Sequence, residues 1–468
     1  MAPPNLNIGV PNLPYFTPQH AISPGTPFPS TTSKSTPIPT LFTPLQIRSI
    51  TLRNRIIVAP MCQYSTACTG PETGALTNYH IATLGHYALK GAGLVFIEAT
   101  GVQPHGRISP NCPGLWDDAQ IAALKRVADF VKSQGSVCGI QLAHAGRKAS
   151  TVAPWVAARG GDGMKKVSVR ATKEVGGWPG DVVGPMGGEG EAWDGKSESD
   201  ENGGFWAPRA LTEKEIDALV GDFASAARRA VKAGVQVVEI HAAHGYLLHQ
   251  FLSPVTNRRT DRYGGSFENR IRLLVEVMQA VRNAMPSELP LFLRISSTEW
   301  LEGSELGKQY GSWDVESSLI LAKMLPALGV DLLDVSSGGN SPMQSINMYE
   351  SKDYQTRIAA RIRGEMKKEG LNLLIGAVGL ITEAEQARDI VEEGGAVGQA
   401  GENGSIDLEA KVAVEMTEGK GGRDPMADVI LVARQFMREP EWVLKVAWKL
   451  GVDIAWPSQF LRVRFPKL

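Results

Sequence analysis

The amino-acid sequence predicts an α/β fold in which eight parallel strands and their helices close into a single-domain (β/α)8 (TIM) barrel. Three observations support this prediction. Eight short, continuously apolar segments recur along the chain, as expected for strands of a parallel sheet that is covered on both faces. Helical segments separate them, and eight such units fit a closed barrel better than an open doubly wound sheet. No Gly-x-Gly-x-x-Gly motif follows the first strand, which weakens the open dinucleotide-binding alternative.

Residues 1–40 precede this repeat and contain ten prolines together with Ser and Thr. Proline lacks a backbone donor and the segment has no apolar periodicity, so we predict an extended, poorly ordered arm. An arm that wraps the barrel or a neighbouring subunit is the alternative. We therefore place the domain boundary at residue 41, with the barrel over residues 41–468.

From Leu41 onward, apolar and helical segments alternate. The predicted strands are Arg55–Ala59, Leu94–Ala99, Val137–Ala143, Val235–Ile240, Leu291–Ile295, Asp331–Val335, Leu373–Ala377 and Val429–Ala433. The clearest helical patterns are Ala119–Gln134, Thr212–Ala233, Ser266–Ala284 and Asp314–Leu328. Thr212 and Glu215 have the spacing of a capping box, and Ser266 can cap the helix that follows it. Gly93 and Gly234 are expected to stop helices just before strands.

Two stretches interrupt the repeat. Residues 156–207 are rich in Gly, include three tryptophans (Trp178, Trp193 and Trp206), and follow the third strand. They should therefore leave from the C-terminal face of the barrel, where active sites of this fold form. Residues 395–427 precede the eighth strand and should lie on the opposite face, with Ile406–Met416 as an amphipathic helix. We expect this second insertion to be remote from the chemistry; a partner surface is the alternative.

Composition and charge exclude several classes of protein. The chain has 468 residues, of which 48 are basic and 49 acidic, and no basic block, so neither nucleic-acid nor membrane-surface binding is expected. Its four cysteines fit no zinc or iron–sulfur spacing, and so few indicate a reducing compartment. No apolar stretch reaches the length of a membrane span, and the N-terminus has no signal pattern. We therefore predict a cytoplasmic protein.

The densest group of polar side chains follows the fourth strand, in the run Glu239–Tyr246 (EIHAAHGY). It holds two imidazoles and a phenol at a strand end, which is a rigid place for groups that act together. The His-x-x-His spacing of His241 and His244 could bind a metal ion, but no Glu base intervenes and no third ligand is evident. A packed strand end is the structural alternative.

Polar residues also stand at the ends of other predicted strands. They are Gln63, Tyr64, Glu98, Thr100, Gln141, His144, Arg294, Ser336, Ser337 and Arg434. Singly, each has an ordinary explanation: a buried Arg294 usually pairs with a carboxylate such as Glu239 or Glu98. Together they predict a functional site at the C-terminal mouth. The Gly-rich turn after the seventh strand and Arg434 after the eighth suit a phosphate.

Short motifs along the chain match one family. They are Leu41–Leu45, Asn54–Ile56, Ala59–Tyr64, Ile140–Arg147, Ile240–Tyr246, Asp261–Ser266 and Glu268–Arg270. On these motifs the chain resembles the old yellow enzyme family of FMN-dependent ene-reductases, and within it the thermophilic-like, bacterial-type branch. The similarity runs from about Leu41 to Arg462 and is broken by the two insertions.

The resemblance implies that FMN lies across the barrel mouth. The implied contacts are Ala59, Pro60, Met61 and Cys62 along the isoalloxazine ring, Ala99 and Gln141 at its edge, Arg294 beside the N1–C2 carbonyl end, and Ala433 and Arg434 at the phosphate. A fixed cation at Arg294 would stabilise the anionic reduced flavin. Cys62 stands where other branches carry Thr and would tune the flavin potential. The family usually has Gly where this chain has Ala433.

The resemblance also implies the reaction. His241 and His244 would donate hydrogen bonds to the carbonyl oxygen of an enone or enal and so stabilise the developing enolate. Hydride would pass from flavin N5 to the β-carbon, and Tyr246 would give a proton to the α-carbon. Tyr64 would be a further substrate contact. NADPH or NADH would reduce the flavin first at the same site, as in a ping-pong NADPH dehydrogenase.

The C-terminal segment Trp456–Arg462 resembles one that reaches into a neighbour's site in this branch. Arg462 would then be an intersubunit finger and the protein a homodimer or homotetramer, although Phe460 and Leu461 depart from the more polar family pattern. Two alternatives remain. Multidomain dienoyl-CoA reductases and amine dehydrogenases share the barrel but carry a cysteine-ligated iron–sulfur cluster. An FMN-binding barrel with a different redox or non-redox role is the other.

Overall fold

The computed structural model describes residues 7–28, 37–157, 168–200, 204–346, 351–394 and 424–466. The strands are β1 (Leu45–Ile47), β2 (Ile50–Leu52), β3 (Ile56–Val58), β4 (Leu94–Gly101), β5 (Val137–Ala143), β6 (Val183–Gly184), β7 (Arg209–Ala210), β8 (Val237–Ala242), β9 (Leu291–Ser296), β10 (Leu332–Ser336), β11 (Leu374–Val378) and β12 (Val429–Val432). The helices are α1 (Asn78–Leu89), α2 (Ile121–Ser133), α3 (Pro154–Ala157), α4 (Glu213–Lys232), α5 (Leu247–Leu252), α6 (Phe267–Ala284), α7 (Glu305–Tyr310), α8 (Val315–Met324), α9 (Thr356–Lys368), α10 (Ala384–Val391), α11 (Arg434–Arg438) and α12 (Trp442–Lys449).

Eight strands form one closed barrel in the order β3-β4-β5-β8-β9-β10-β11-β12. Every neighbouring pair is parallel. The predicted (β/α)8 barrel is therefore confirmed, and each of the eight predicted strands has its counterpart. The antiparallel hairpin of β1 and β2 precedes the barrel and packs its apolar side chains into the barrel interior.

The barrel interior begins as an apolar core at the amino ends of the strands. Phe96, Val237, Phe292 and Leu332 belong to one fully buried cluster, and the rings of Phe96 and Phe292 lie 6.0 Å apart. Burying each such side chain contributes about 1.5–3 kcal/mol. The residues between these positions point outward and join a second, larger cluster with the surrounding helices. This alternation follows from the period of two along a strand.

Strand β8 runs two residues further than predicted, over Val237–Ala242 instead of Val235–Ile240. The backbone N–H of Val235 donates to Ala230 O, so it completes the end of α4 rather than starting the strand. At the other end, His241 pairs with Arg294 of β9 in the ladder. His241 is thus a strand residue whose backbone position is fixed by the barrel.

The predicted helix signals at Thr212, Ser266 and Gly234 are confirmed, whereas the left-handed residue after α1 is Gly91, with φ of +101°, and not Gly93. The Thr212 side chain accepts from the N–H of Glu215, and Glu215 returns the bond in a capping box. Ser266 caps α6 by accepting from the N–H of Asn269. Gly234 follows α4 with φ of +86°, a left-handed conformation that favours glycine. Among the helices described, none has both the length and the apolar character required to cross a membrane.

Residues 7–28 of the proline-rich arm lie against the barrel. The N–H of Gly25 donates to Ala455 O at 2.9 Å, and the N–H of Phe28 donates to Asp453 O at 2.9 Å. The Asn54 side-chain amide donates to Gly25 O at 3.1 Å. Residues 7–28 therefore pack along the barrel, as in the alternative to the prediction of a poorly ordered arm. The division of the chain into residues 1–40 and 41–468 stays a prediction.

The Gly- and Trp-rich insertion covers part of the C-terminal face. The Trp193 indole N–H donates to Gly339 O, in the loop after β10, at 2.9 Å. Its backbone also binds the barrel, because Arg147 donates to Glu191 O at 3.2 Å. The other predicted insertion, residues 395–427, lies mostly outside the described residues, and so does the predicted helix Ile406–Met416.

Candidate active site

Toward the carboxyl ends of the strands, the barrel interior changes from apolar to polar. Two residues beyond Val237, Phe292 and Leu332, the inward positions are taken by buried polar side chains. These are Glu239 of β8, Arg294 of β9 and Asp334 of β10, which join Gln141 of β5 and Glu98 of β4. Because burying polar and charged groups costs free energy unless they are paired, this layer requires a structural or functional explanation.

The rings of His241, His244 and Tyr246 lie together above this layer. The ring centroids of His241 and His244 are 5.1 Å apart, and those of His241 and Tyr246 are 5.0 Å apart. Both pairs meet nearly edge to face, with interplanar angles of 84° and 80°. The polar edges of two imidazoles and one phenol are thus gathered at one place, on a strand and the turn that follows it.

Hydrogen bonds fix the tautomer of His241 and occupy one nitrogen of His244. The N–H of Ala243 donates to His241 Nδ1 at 3.2 Å, so the neutral ring carries its proton on Nε2. His244 Nε2 lies 2.7 Å from the Ser336 hydroxyl. The same hydroxyl can donate its single proton to Gln355 Oε1, which lies 3.3 Å away, so this contact is compatible with either tautomer of His244. Nδ1 is the nitrogen of His244 that remains for a ligand.

Burial keeps these three groups uncharged. It lowers the pKa of His241 and of His244 well below the usual range, and the positive charge of Arg294 adds to the effect. Burial likewise raises the pKa of the Tyr246 phenol well above its usual range. At neutral pH the site therefore presents two neutral imidazoles and a protonated phenol, which can hold an oxygen atom and give a proton.

The turn that carries His244 and Tyr246 is held very close to the loop after β10. A Cβ atom on Gly245, where φ is +71°, would lie 2.2 Å from Gly339 O, so only glycine fits. Lys148 ties the same two segments together, because its ammonium donates to His244 O at 2.9 Å and to Gly339 O at 3.1 Å. The ammonium also lies 4.8 Å from the Trp193 ring centroid.

Lys148 is a site residue that the sequence prediction missed. Its ammonium lies 5.2 Å from the Tyr246 ring centroid, and burial, with a smaller effect of Arg147, lowers its pKa to about 7. A signal was present, since Lys148 directly follows the matched motif Ile140–Arg147 that runs on from β5. Only residues at or near strand ends were considered, and the last of these after β5 was His144. Lys148 lies further along the loop, but its long side chain still reaches the site.

The sequence prediction for the partner of Arg294 is wrong. Neither Glu239 nor Glu98 forms the ion pair; Arg294 Nε lies 3.1 Å from Asp334 Oδ2, on the neighbouring strand. Asp334 and Arg294 are direct partners in the β9–β10 ladder, which places their side chains on the same face. Glu98 instead accepts from the N–H of Gln63 at 3.0 Å and lies 3.4 Å from His80 Nε2.

Gln141 is oriented by Glu239. Its amide nitrogen donates to Glu239 Oε1 at 2.8 Å, and the two residues are ladder partners in β5 and β8. The amide oxygen of Gln141 therefore points away from Glu239. Since the side chain is buried, that oxygen is held in one direction and is suited to accept a hydrogen bond from a ligand.

The loop after β3 carries five of the predicted site residues. Ala59 is buried, Pro60, Met61 and Cys62 are half-buried, and Tyr64 has φ of +50°. The Tyr64 ring meets Trp155 edge to face at 5.6 Å. Ala99, in the adjacent strand β4, is also buried. Small and apolar side chains thus border the polar layer at one side of the mouth.

Ala433 and Arg434 follow β12 directly, where a phosphate was predicted. Ala433 is half-buried and precedes the short helix α11, whose first residue, Arg434, is exposed. The preceding strand ends at Val378, and Gly379 has φ of +106°. The two turns therefore leave the barrel at its C-terminal end, at neighbouring strands.

The structure does not bring Arg462 to the mouth of its own barrel. It is exposed on the 3-10 turn Ser458–Val463. The neighbouring Phe460 packs under the ammonium of Lys90, which lies just before β4 and so on the opposite face of the barrel. Within the part of the chain that the structure describes, Arg462 forms no hydrogen bond or ion pair.

These residues fit a flavin. A planar heteroaromatic ring needs a smooth apolar surface along one face and polar groups around its edge, and the β3 loop and the layer of Gln141 and Arg294 supply these. Arg294 Nε, although close to Asp334, lacks the alignment of a hydrogen bond, so this buried cation retains donor capacity. Within the described ranges, no group of three His, Cys, Asp or Glu side chains is arranged to hold a metal ion.

Comparison with known proteins agrees with this arrangement. The profile of the NADH:flavin oxidoreductase / NADH oxidase family matches residues 40–398. An NADH:flavin oxidoreductase of Gibberella zeae is 43% identical over 97% of this chain and 94% of its own length. An NADPH dehydrogenase of Listeria monocytogenes is 35% identical over 90% of this chain and 98% of its own.

Among solved structures, morphinone reductase in complex with tetrahydroNAD is 27% identical, with a TM-score of 0.58 over 90% of this chain and 93% of that one. The family profile and the relatives confirm three expectations, namely an oxidoreductase, an FMN cofactor and a nicotinamide hydride donor. The chain belongs to the NADH:flavin oxidoreductase / NADH oxidase family, and is a flavin oxidoreductase of the old yellow enzyme type.

Proposed function

We propose that this flavin oxidoreductase reduces the C=C bond of α,β-unsaturated carbonyl compounds and that Tyr246 is its proton donor. One observation carries the proposal: two neutral imidazoles and a protonated phenol surround one place, with ring centroids 5.1 and 5.0 Å apart. A substrate oxygen that becomes negative during the reaction would accept from His241 Nε2–H and His244 Nδ1–H. Such donors stabilise the charge that develops in the transition state.

Tyr246 has the chemistry for the proton step. A carbanion-like α-carbon needs an acid that stays protonated at neutral pH and is placed within reach. The raised pKa of Tyr246 provides the first condition, and its position against His241 provides the second. Tyr64, on the loop after β3, would contact the substrate from the side of Trp155.

The cofactor would be held by the residues that border the mouth. Ala59, Pro60, Met61, Cys62 and Ala99 would line the ring. Gln141 and Arg294 would bind its polar edge, and Ala433 and Arg434 its phosphate. The chemistry that FMN supplies when bound is hydride transfer, from NADPH or NADH to the β-carbon of the substrate.

The proposal is tested by mixing the FMN-loaded protein first with NADPH and then with 2-cyclohexen-1-one in the absence of oxygen. NADPH should bleach the flavin absorbance, and the enone should restore it while the saturated ketone appears. Bleaching without recovery would contradict reduction of enones and favour the alternative of a different redox role. A protein that takes up no FMN would contradict the site as well.

Arg462 is proposed to complete the site of a neighbouring subunit in a homodimer or homotetramer. Arg462→Ala should raise KM for the enone about tenfold, because a charge-assisted hydrogen bond contributes about 1.5 kcal/mol, while the assembly stays intact by light scattering. Arg464→Ala is the matched control, since Arg464 is exposed directly after the same turn. An equal KM for the enone in wild type and Arg462→Ala would show that Arg462 does not contribute to the site.

A further inference from the structure

Two buried carboxyl groups face one buried guanidinium beneath the predicted flavin. Arg294 Nε lies 3.1 Å from Asp334 Oδ2, and Glu239 Oε1 accepts from Gln141 Nε2 at 2.8 Å. Glu239 and Asp334 are fully buried, and Arg294 is 7% exposed. Three carboxyl oxygens, Glu239 Oε2 and both oxygens of Asp334, have no hydrogen-bond partner among the described residues. The proposed reaction uses Arg294 and Gln141 but assigns no task to either carboxyl group.

The electrostatics of this layer favour one ionised carboxyl group rather than two. Burial raises the pKa of Glu239, and repulsion from Asp334 raises it further, against the opposing effects of Arg294 and Gln141. Burial also raises the pKa of Asp334, but the adjacent Arg294 opposes this. Two interacting negative charges are not both retained in a dry interior with a single cation. The proton therefore belongs on Glu239, because Asp334 and not Glu239 forms the ion pair with Arg294.

We propose that Asp334 is a positioning residue that holds the Arg294 guanidinium against the flavin and balances its charge, while Glu239 stays protonated and orients Gln141. The inference rests on the proposed place of Arg294 beside the flavin ring. Arg294, Asp334 and Glu239 together then carry no net charge. A reduced flavin is more negative than an oxidised one, so the charge of this layer would set the reduction potential.

The test is the reduction potential of bound FMN, measured by dye equilibration without any enone. Asp334→Asn, combined with Glu239→Gln so that Glu239 cannot ionise in its place, leaves the Arg294 charge unbalanced. It should favour the reduced flavin at least tenfold over Glu239→Gln alone, which is a rise of about 30 mV for a two-electron couple. Glu239→Gln is the matched control, because glutamine is uncharged and similar in shape to the protonated acid. It should change the same equilibrium by less than threefold. A potential that does not rise when Asp334→Asn is added to Glu239→Gln would overturn the inference, and so would a tenfold effect of Glu239→Gln alone.

A third variant separates this inference from the site on which it rests. Arg294→Met removes the cation and should lower the potential. If Arg294→Met has no effect, the placement of Arg294 beside the flavin is wrong and the inference falls with it. If Arg294→Met lowers the potential but Asp334→Asn does not raise it, only the role of Asp334 fails. The measured potential does not depend on whether the protein reduces enones, because no enone is present.

The wild-type protein gives a second route if Asp334→Asn does not fold. Its infrared difference spectrum between oxidised and reduced flavin should contain the carbonyl band of a protonated carboxyl group, because reduction changes the charge beside Glu239. That band should be missing in Glu239→Gln. A wild-type spectrum without the band, or a band that persists in Glu239→Gln, would overturn the assignment of the proton to Glu239.

Discussion

Replacing Tyr246 with Phe is expected to slow the reduction of an enone by roughly 10²–10⁴-fold, the usual range for loss of a general acid. Flavin reduction by NADPH should change little, because that step needs no proton from the phenol. The ring itself stays in place, since its edge-to-face contact with His241 does not involve the hydroxyl group. Stopped-flow absorbance of the flavin measures the two half-reactions separately and so isolates the affected step.

Tyr64→Phe is the matched control for this experiment. It removes the other phenol hydroxyl near the mouth, but Tyr64 is proposed only as a substrate contact, so its loss should mainly raise KM. If Tyr246→Phe left the enone step unchanged, the proton would come from solvent or another residue. An equal slowing of both half-reactions would instead point to a disturbed flavin site.

Replacing His244 with Ala is expected to reduce both the binding of phenols and the rate of enone reduction. A phenol places its oxygen where an enolate oxygen would lie, and loss of one donor should weaken its binding about 10–100-fold. Loss of a donor to the developing charge should lower kcat by about 10²–10³-fold. Titration of flavin absorbance with p-cresol and single-turnover kinetics measure the two effects.

His244→Asn tests whether a lost hydrogen bond is the reason for the weaker phenol binding of His244→Ala. The asparagine amide retains an N–H donor at nearly the same distance from the backbone, so part of the binding should return. A His244→Asn variant as weak as His244→Ala would show that the imidazole acts through its packing against His241. Unchanged phenol binding in His244→Ala would show that His244 does not bind the substrate oxygen.

Much of the barrel could be predicted from the sequence because buried parallel strands have a simple signature. Apolar runs separated by helical patterns are enough to locate eight strands. The ends of β8 were less certain, since Val235 is apolar but belongs to the end of α4, while His241 is polar but belongs to the strand. Hydropathy alone therefore assigns Val235 to the strand and leaves His241 out of it.

The partner of Arg294 could not be predicted in the same way. Which carboxylate meets it depends on how β9 and β10 align, and alignment between strands that are far apart in sequence leaves no local signal. Asp334 lies within an apolar segment and was not considered as a partner, whereas Glu239 and Glu98 lie near the ends of predicted strands and were. The hydrogen-bond partners of His241 and His244 likewise depend on backbone and hydroxyl positions that exist only in the folded chain.

The contacts of Lys148 have a consequence for attempts to change substrate preference. The ammonium links the segment with Tyr246, the loop after β10 and the Trp193 insertion. Remodelling the insertion to admit bulkier molecules would therefore also shift Tyr246, the proposed acid, and His244, one of the proposed oxygen-binding groups. Grafting that loop from a relative would transfer selectivity and reactivity as one unit, and variants that widen the entrance should be screened for turnover as well as for affinity.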